Sequence, residues 1–147
     1  MLLTLDTIDD LARQICGTLR VGDAIGLSGE LGVGKTTLVR ALLRAFGLAT
    51  EAPSPSFAIV QPYAAPEVTV PILHVDLYRI TDPIDMIELG LDEARDDHLL
   101  FVEWPERMGA YLWDDMLFLD LRAMADGTRR LTATVPPAWK GRWPFPT

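Results

Sequence analysis

The chain has 147 residues, enough for one ordinary domain with its own core. Apolar residues make up 49% and charged residues 23%, a globular balance that excludes wholesale disorder. The formal charge of -8 excludes a protein that holds nucleic acid over a broad basic face. A small local anion site stays open, and there are only 2 lysines against 11 arginines. The single cysteine, Cys16, cannot form an internal disulfide, which suits a reducing compartment. The first residues have no basic segment leading into a long apolar one, so no signal peptide is expected. No apolar run is long enough to span a bilayer. A cytoplasmic location is the expectation.

After Thr7, the residues Ile8, Leu11, Ile15 and Leu19 recur at helical spacing, and Thr7 with Asp10 resembles a capping box. Gly22-Asp23 breaks this helix, and Ala24–Leu27 reads as a short buried strand. Gly29–Thr36 then fits G-x-x-x-x-G-K-[ST] in full, between that strand and a helix from Lys35 to Phe46 closed by Gly47. Thr50–Pro55 is a loop. Phe57–Val60 and Val68–Leu77 are predicted strands, with Gln61–Glu67 as the connection between them. A short helix runs from Asp82-Pro83 to about Gly90. Leu99–Val102 is a further apolar strand, and Met116–Leu121 and Arg130–Val135 flank an Asp126-Gly127 hairpin turn. The expected fold is α/β, a P-loop NTPase-like three-layer sandwich. Its central sheet is mixed and its later strands are antiparallel hairpins. One domain is expected over residues 1–136, followed by a Pro- and Trp-rich tail over 137–147.

The phosphate-loop pattern carries a specific chemistry. Its backbone N–H groups form an anion nest at a helix N-terminus. Gly32 and Gly34, with Val33 between them, let phosphate oxygens approach closely. Lys35 is the cation for the β and γ phosphates, Thr36 a ligand for Mg2+, and Thr37 a contact for the α phosphate. Glu30 is either a solvated loop carboxylate or a neighbour of the nucleotide. Asp76 and Glu103 each end an apolar strand, the position from which a parallel sheet delivers a carboxylate to bound phosphate. One can hold Mg2+ and the other can orient the attacking water; spacing alone leaves the order open. His74, inside its strand, reads as a core or edge histidine, and His98 as a surface residue.

Further segments join the phosphate loop in order. These are Ser54-Pro55-Ser56-Phe57, His74-Val75-Asp76-Leu77-Tyr78-Arg79, Glu88-Leu89-Gly90-Leu91 and Glu103-Trp104-Pro105-Glu106-Arg107. Together they resemble the TsaE (YjeE) family of small bacterial ATPases over nearly the whole chain. The resemblance implies a slow, Mg2+-dependent ATPase docked on the TsaB–TsaD pair. There it would support threonylcarbamoyladenosine modification of tRNA, touching the tRNA only through its partners, with no membrane or DNA contact. It implies that Ser56 belongs to a nucleotide-sensing loop, though Ser stands where the family has Thr. It implies catalytic roles for Lys35, Asp76 and Glu103, with Glu103 favoured for the metal and Asp76 for water positioning. Trp104, beside Glu103, is either a turn-fixing aromatic or a contact of the nucleotide or a partner. The resemblance also implies adenine contacts between Thr7 and the late hairpin around Arg129. Three other functions are open to a chain with a phosphate loop. A stand-alone small-molecule kinase would need an arginine-rich lid, which is not visible. A GTPase would need a lysine-bearing guanine motif, which the two lysines do not form. A nucleotide-gated assembly module with negligible hydrolysis is the third.

Overall fold

The computed structural model describes residues 1–52 and 59–146. Its centre is a seven-stranded sheet of β1 (Leu2–Leu3), β2 (Ala24–Ser28), β3 (Val60–Tyr63), β4 (Ile72–Asp76), β5 (Leu99–Glu103), β6 (Leu117–Ala123) and β7 (Arg129–Thr134). The spatial order is β1-β7-β6-β2-β5-β4-β3. The inner four strands, β6, β2, β5 and β4, run parallel, and β1, β7 and β3 pair antiparallel at the edges. The sheet is therefore mixed, with helices on both faces, as the sequence predicts. Ala24–Ser28 and Leu99–Glu103 read as near-continuous apolar runs because strands buried on both faces have no solvent side to alternate with.

Two helices cover one face. Helix α1 (Leu5–Cys16) turns Ile8, Leu11, Ala12 and Ile15 inward, and α2 (Lys35–Ala45) turns in Leu38, Val39, Leu42 and Leu43. They meet Ile25, Leu27, Ile72, Leu99 and Phe101 in one cluster. Each fully buried aliphatic side chain contributes about 2 kcal/mol by leaving water. The other face packs Leu73, Val75, Leu100 and Val102 under the short helices α3 (Met86–Leu89) and α4 (Leu91–Ala94) and the 3-10 turn Pro105–Tyr111. Gly26 lets that turn sit close, since a Cβ there would lie 3.0 Å from Pro105 Cβ and 2.6 Å from Met116 Sδ.

Several local expectations shift. The first helix begins at Leu5, and its cap pairs Thr4 with Thr7 rather than Thr7 with Asp10. The Thr4 N–H donates to Thr7 Oγ1 at 3.0 Å. Gln61, Pro62 and Tyr63 are strand residues, not a connection, because they pair with His74, Leu73 and Ile72. Pro62 is tolerated there because β3 is the edge strand of the sheet among the described residues. Strand β4 starts only at Ile72, after Pro71. In the last segment Trp139 is buried, its Nε1–H donates to the Asp115 carbonyl at 2.9 Å, and Arg142 pairs with Asp23. No helix among the described residues is long and apolar enough to cross a membrane.

Candidate functional site

The carboxyl ends of β2, β4 and β5 open on one edge of the sheet, where ligands gather in parallel α/β folds. The chain leaves β2 at Ser28 and enters α2 at Lys35 through the phosphate loop. Gly29 has φ +139, and a Cβ there would lie 2.4 Å from the Leu121 carbonyl oxygen, so only glycine fits against β6. Gly34 has φ +115, and a Cβ there would meet nothing within 4 Å. That open side of the loop is the side a phosphate can approach.

Lys35 is only 4% exposed. Its Nζ donates to the carbonyls of Gly29 at 2.6 Å and Glu30 at 2.8 Å, and stands 4.2 Å over the Trp104 ring. Desolvation pulls its pKa down, while Glu103, Glu106 and Asp76 oppose that pull. Glu103 is 2% exposed, and its carboxylate is held from two sides. The Thr36 hydroxyl lies 2.9 Å from Oε1 and 3.1 Å from Oε2, and His74 Nε2 lies 2.6 Å from Oε2. This meeting follows from strand register. Asp76 is opposite Glu103 and His74 opposite Phe101, so with period-2 alternation all four side chains point to the α2 face.

Asp76 accepts the Tyr78 N–H at 2.9 Å. Burial raises its pKa, and the Glu103 charge adds to the rise, against that hydrogen bond and the charge of Lys35. The folded chain therefore holds this proton more tightly than the unfolded chain. Stability falls as pH rises from the ordinary aspartate value towards the raised one. Asp76→Asn removes that penalty and can still accept the Tyr78 N–H. Thermal melts should show the variant more stable than the parent at pH 7, with the two converging as pH falls to 4. Equal melting temperatures at pH 7 would contradict this origin of the shift.

Trp104 is the one non-glycine with positive φ among the described residues, at φ 60 and ψ 50. That conformation costs about 1–2 kcal/mol and persists only where the surroundings impose it. Its N–H donates to the Leu27 carbonyl at 3.1 Å, and its ring lies 5.0 Å from that of Tyr78. The strain thus turns the ring over Lys35.

Two clefts meet at the phosphate loop. One, of about 390 Å³, is lined by Gly32, Gly34, Lys35, Thr36, Thr37, Asp76, Glu103 and Trp104, with Tyr78 and Arg79 at its side. The other, of about 270 Å³, is largely apolar and takes in Gly32, Val33, Gly34, Thr37 and Arg129. The Arg129 Nε–H donates to the Val33 carbonyl at 2.8 Å, which ties the late hairpin to the loop. Thr7 does not line this second cleft; its hydroxyl is engaged by Thr4. Thr4, Leu5 and Ile8 line it instead. Sequence reasoning missed them because the β1–β7 pairing that brings the N-terminus there is non-local. The Glu30 side chain is exposed and faces a separate concavity with Gly29 and Trp104. Ser56 and its loop lie outside the described residues. Thr36 and Glu103 are the adjacent hard-oxygen donors that could hold a divalent cation, with Asp76 beside them.

The family model for "Threonylcarbamoyl adenosine biosynthesis protein TsaE" matches residues 3–131. The chain belongs to the TsaE family. A Streptomyces coelicolor protein described as tRNA threonylcarbamoyladenosine biosynthesis protein TsaE is 39% identical over 130 residues, spanning 85% of this chain and 88% of the relative. A Bacillus subtilis TsaE so described is 30% identical over 125 residues, spanning 84% of this chain and 77% of the relative. Among solved structures, the crystal structure of Bacillus subtilis YdiB superposes with a TM-score of 0.76 at 24% identity. It covers 92% of this chain and 87% of that one, and supports the shared fold. The phosphate loop, Asp76 and Glu103 all lie inside the matched TsaE region.

Proposed function

We propose that this TsaE-family chain is a Mg2+-dependent ATPase, slow in isolation, that supports threonylcarbamoyladenosine modification of tRNA while docked on a TsaB–TsaD complex. The observation that carries this reading is the meeting of Lys35, Thr36 and Glu103 at one mouth of the phosphate loop. Lys35 leaves the Gly29 and Glu30 carbonyls to bind the β and γ phosphates. The loop amides and the start of α2 bind the rest of the phosphate chain. Thr37, which borders both clefts, contacts the α phosphate, and the apolar cleft beside Arg129 takes the base.

The residues present fit Mg2+. Among the described residues no three His, Cys, Asp or Glu side chains could hold a metal by themselves. Mg2+ needs no such cage, because it keeps several waters and shares phosphate oxygens. Thr36 and Glu103 would hold it, with Asp76 adjacent, and when bound it would offset charge on the β and γ phosphates. Asp76 orients the attacking water, and its raised pKa makes it a stronger base than an ordinary aspartate. Trp104 loses its contact with Lys35 when the lysine moves, and so reports nucleotide state.

The charge of -8 fits a chain that handles one small polyanion and leaves tRNA to its partners. The test is turnover with and without TsaB–TsaD, together with a pull-down on that pair with and without ATP. Slow hydrolysis alone, faster hydrolysis with the pair and ATP-dependent capture are expected. Rapid phosphorylation of a small metabolite by the isolated chain would point instead to a kinase.

A further inference from the structure

His74 is fully buried, and its two ring nitrogens differ sharply. Nε2 lies 2.6 Å from Glu103 Oε2, while Nδ1 is buried with no hydrogen-bond partner among the described residues. A neutral imidazole carries one proton, and the network decides where it sits. A proton on Nδ1 would be a buried N–H with no acceptor, and would leave Nε2 facing a carboxylate with nothing to donate. A proton on Nε2 leaves only an unpaired lone pair, the cheaper defect. His74 is therefore the donor and Glu103 the acceptor.

This has a consequence for Glu103 that rests on the proposed Mg2+-ATPase reading. Thr36 contacts both carboxylate oxygens, but His74 engages only Oε2. If the Thr36 hydroxyl turns to a metal ion, Oε1 becomes available and Oε2 stays bonded. We propose that His74 is a positioning residue that holds Oε2, so that Glu103 offers a cation one oxygen rather than two. A one-oxygen ligand suits Mg2+, which demands near-octahedral geometry. Ca2+ readily takes both oxygens of a carboxylate. The buried ring thus selects between the two ions without touching either.

The experiment uses the full chain and ADP, the product of the proposed hydrolysis. ADP affinity is measured calorimetrically without metal and across Mg2+ and Ca2+ titrations, for the parent, His74→Leu and His74→Gln. His74→Leu should raise the Mg2+ midpoint about tenfold or more and narrow the preference for Mg2+ over Ca2+. Its metal-free ADP affinity should stay within about twofold, since the loop and Lys35 are untouched. His74→Gln, whose amide can donate, should recover most of the preference. A folded His74→Leu with an unmoved Mg2+ midpoint and preference overturns the role of His74 alone. Failure of the parent chain to bind ADP under any condition overturns the nucleotide reading and this proposal together. Imidazole 15N shifts of the unmodified protein provide a measurement that no folding defect can spoil. They should show the proton on Nε2, and a proton on Nδ1 overturns the proposal.

Discussion

Lys35→Ala should weaken ATP binding by about two orders of magnitude or more, from the loss of two charge-assisted hydrogen bonds at about 1.5–3 kcal/mol each. The only other lysine, Lys140, lies in the last segment, far along the chain from the loop. Arg129 already donates to the Val33, Gly127 and Thr128 carbonyls. The fold should tolerate the change. The bonds lost without nucleotide are to the loop carbonyls of Gly29 and Glu30, and the Glu30 carbonyl also accepts the Val33 N–H at 3.2 Å. Calorimetric titration with ATP and Mg2+, alongside a thermal melt, separates the two effects. Undiminished affinity in a folded variant would refute the phosphate-loop assignment.

The parts of this site that the sequence discloses are those encoded by neighbouring residues. A phosphate loop is a local pattern, and its strand–loop–helix setting is local too, so Gly29–Thr36 is legible outright. Asp76 and Glu103 are legible as strand-end acids, because a wholly apolar run that stops at a carboxylate marks the edge of a buried parallel sheet. What joins them is not local. The bond between His74 and Glu103 depends on β4 and β5 pairing with Asp76 opposite Glu103. From the sequence alone His74 reads as a core or edge histidine; it is buried, and its partner is a site carboxylate. The same holds at the second cleft, where pairing of a two-residue strand with β7 brings in Thr4 and Leu5. Pro62 misleads in the opposite way. A proline argues against a central strand, and only the sheet order shows β3 to be an edge where that argument lapses.

Glu103→Gln should lower ATP turnover by about 10²-fold or more, the scale of removing one charged or polar group from a transition-state site. It should do so with little change in metal-free nucleotide binding. Glutamine can keep the local hydrogen bonds: its carbonyl oxygen accepts from His74, and its amide donates to the Thr36 hydroxyl. The variant therefore tests charge rather than packing. Glu103→Ala differs, because it leaves the buried His74 N–H and the Thr36 hydroxyl without their partner. Water in the cleft can satisfy Thr36, but the buried His74 N–H left unsatisfied costs about 1–3 kcal/mol, so the alanine variant should melt below the glutamine one. Asp76 adds a third reading. Its pKa is raised in part by the Glu103 charge, so in Glu103→Gln the Asp76 carboxyl should titrate lower. Carboxyl 13C shifts across a pH series would follow that change directly. A glutamine variant that keeps parental Mg2+-dependent turnover would remove Glu103 from the site, and an unmoved Asp76 titration would show that the two acids do not sense each other.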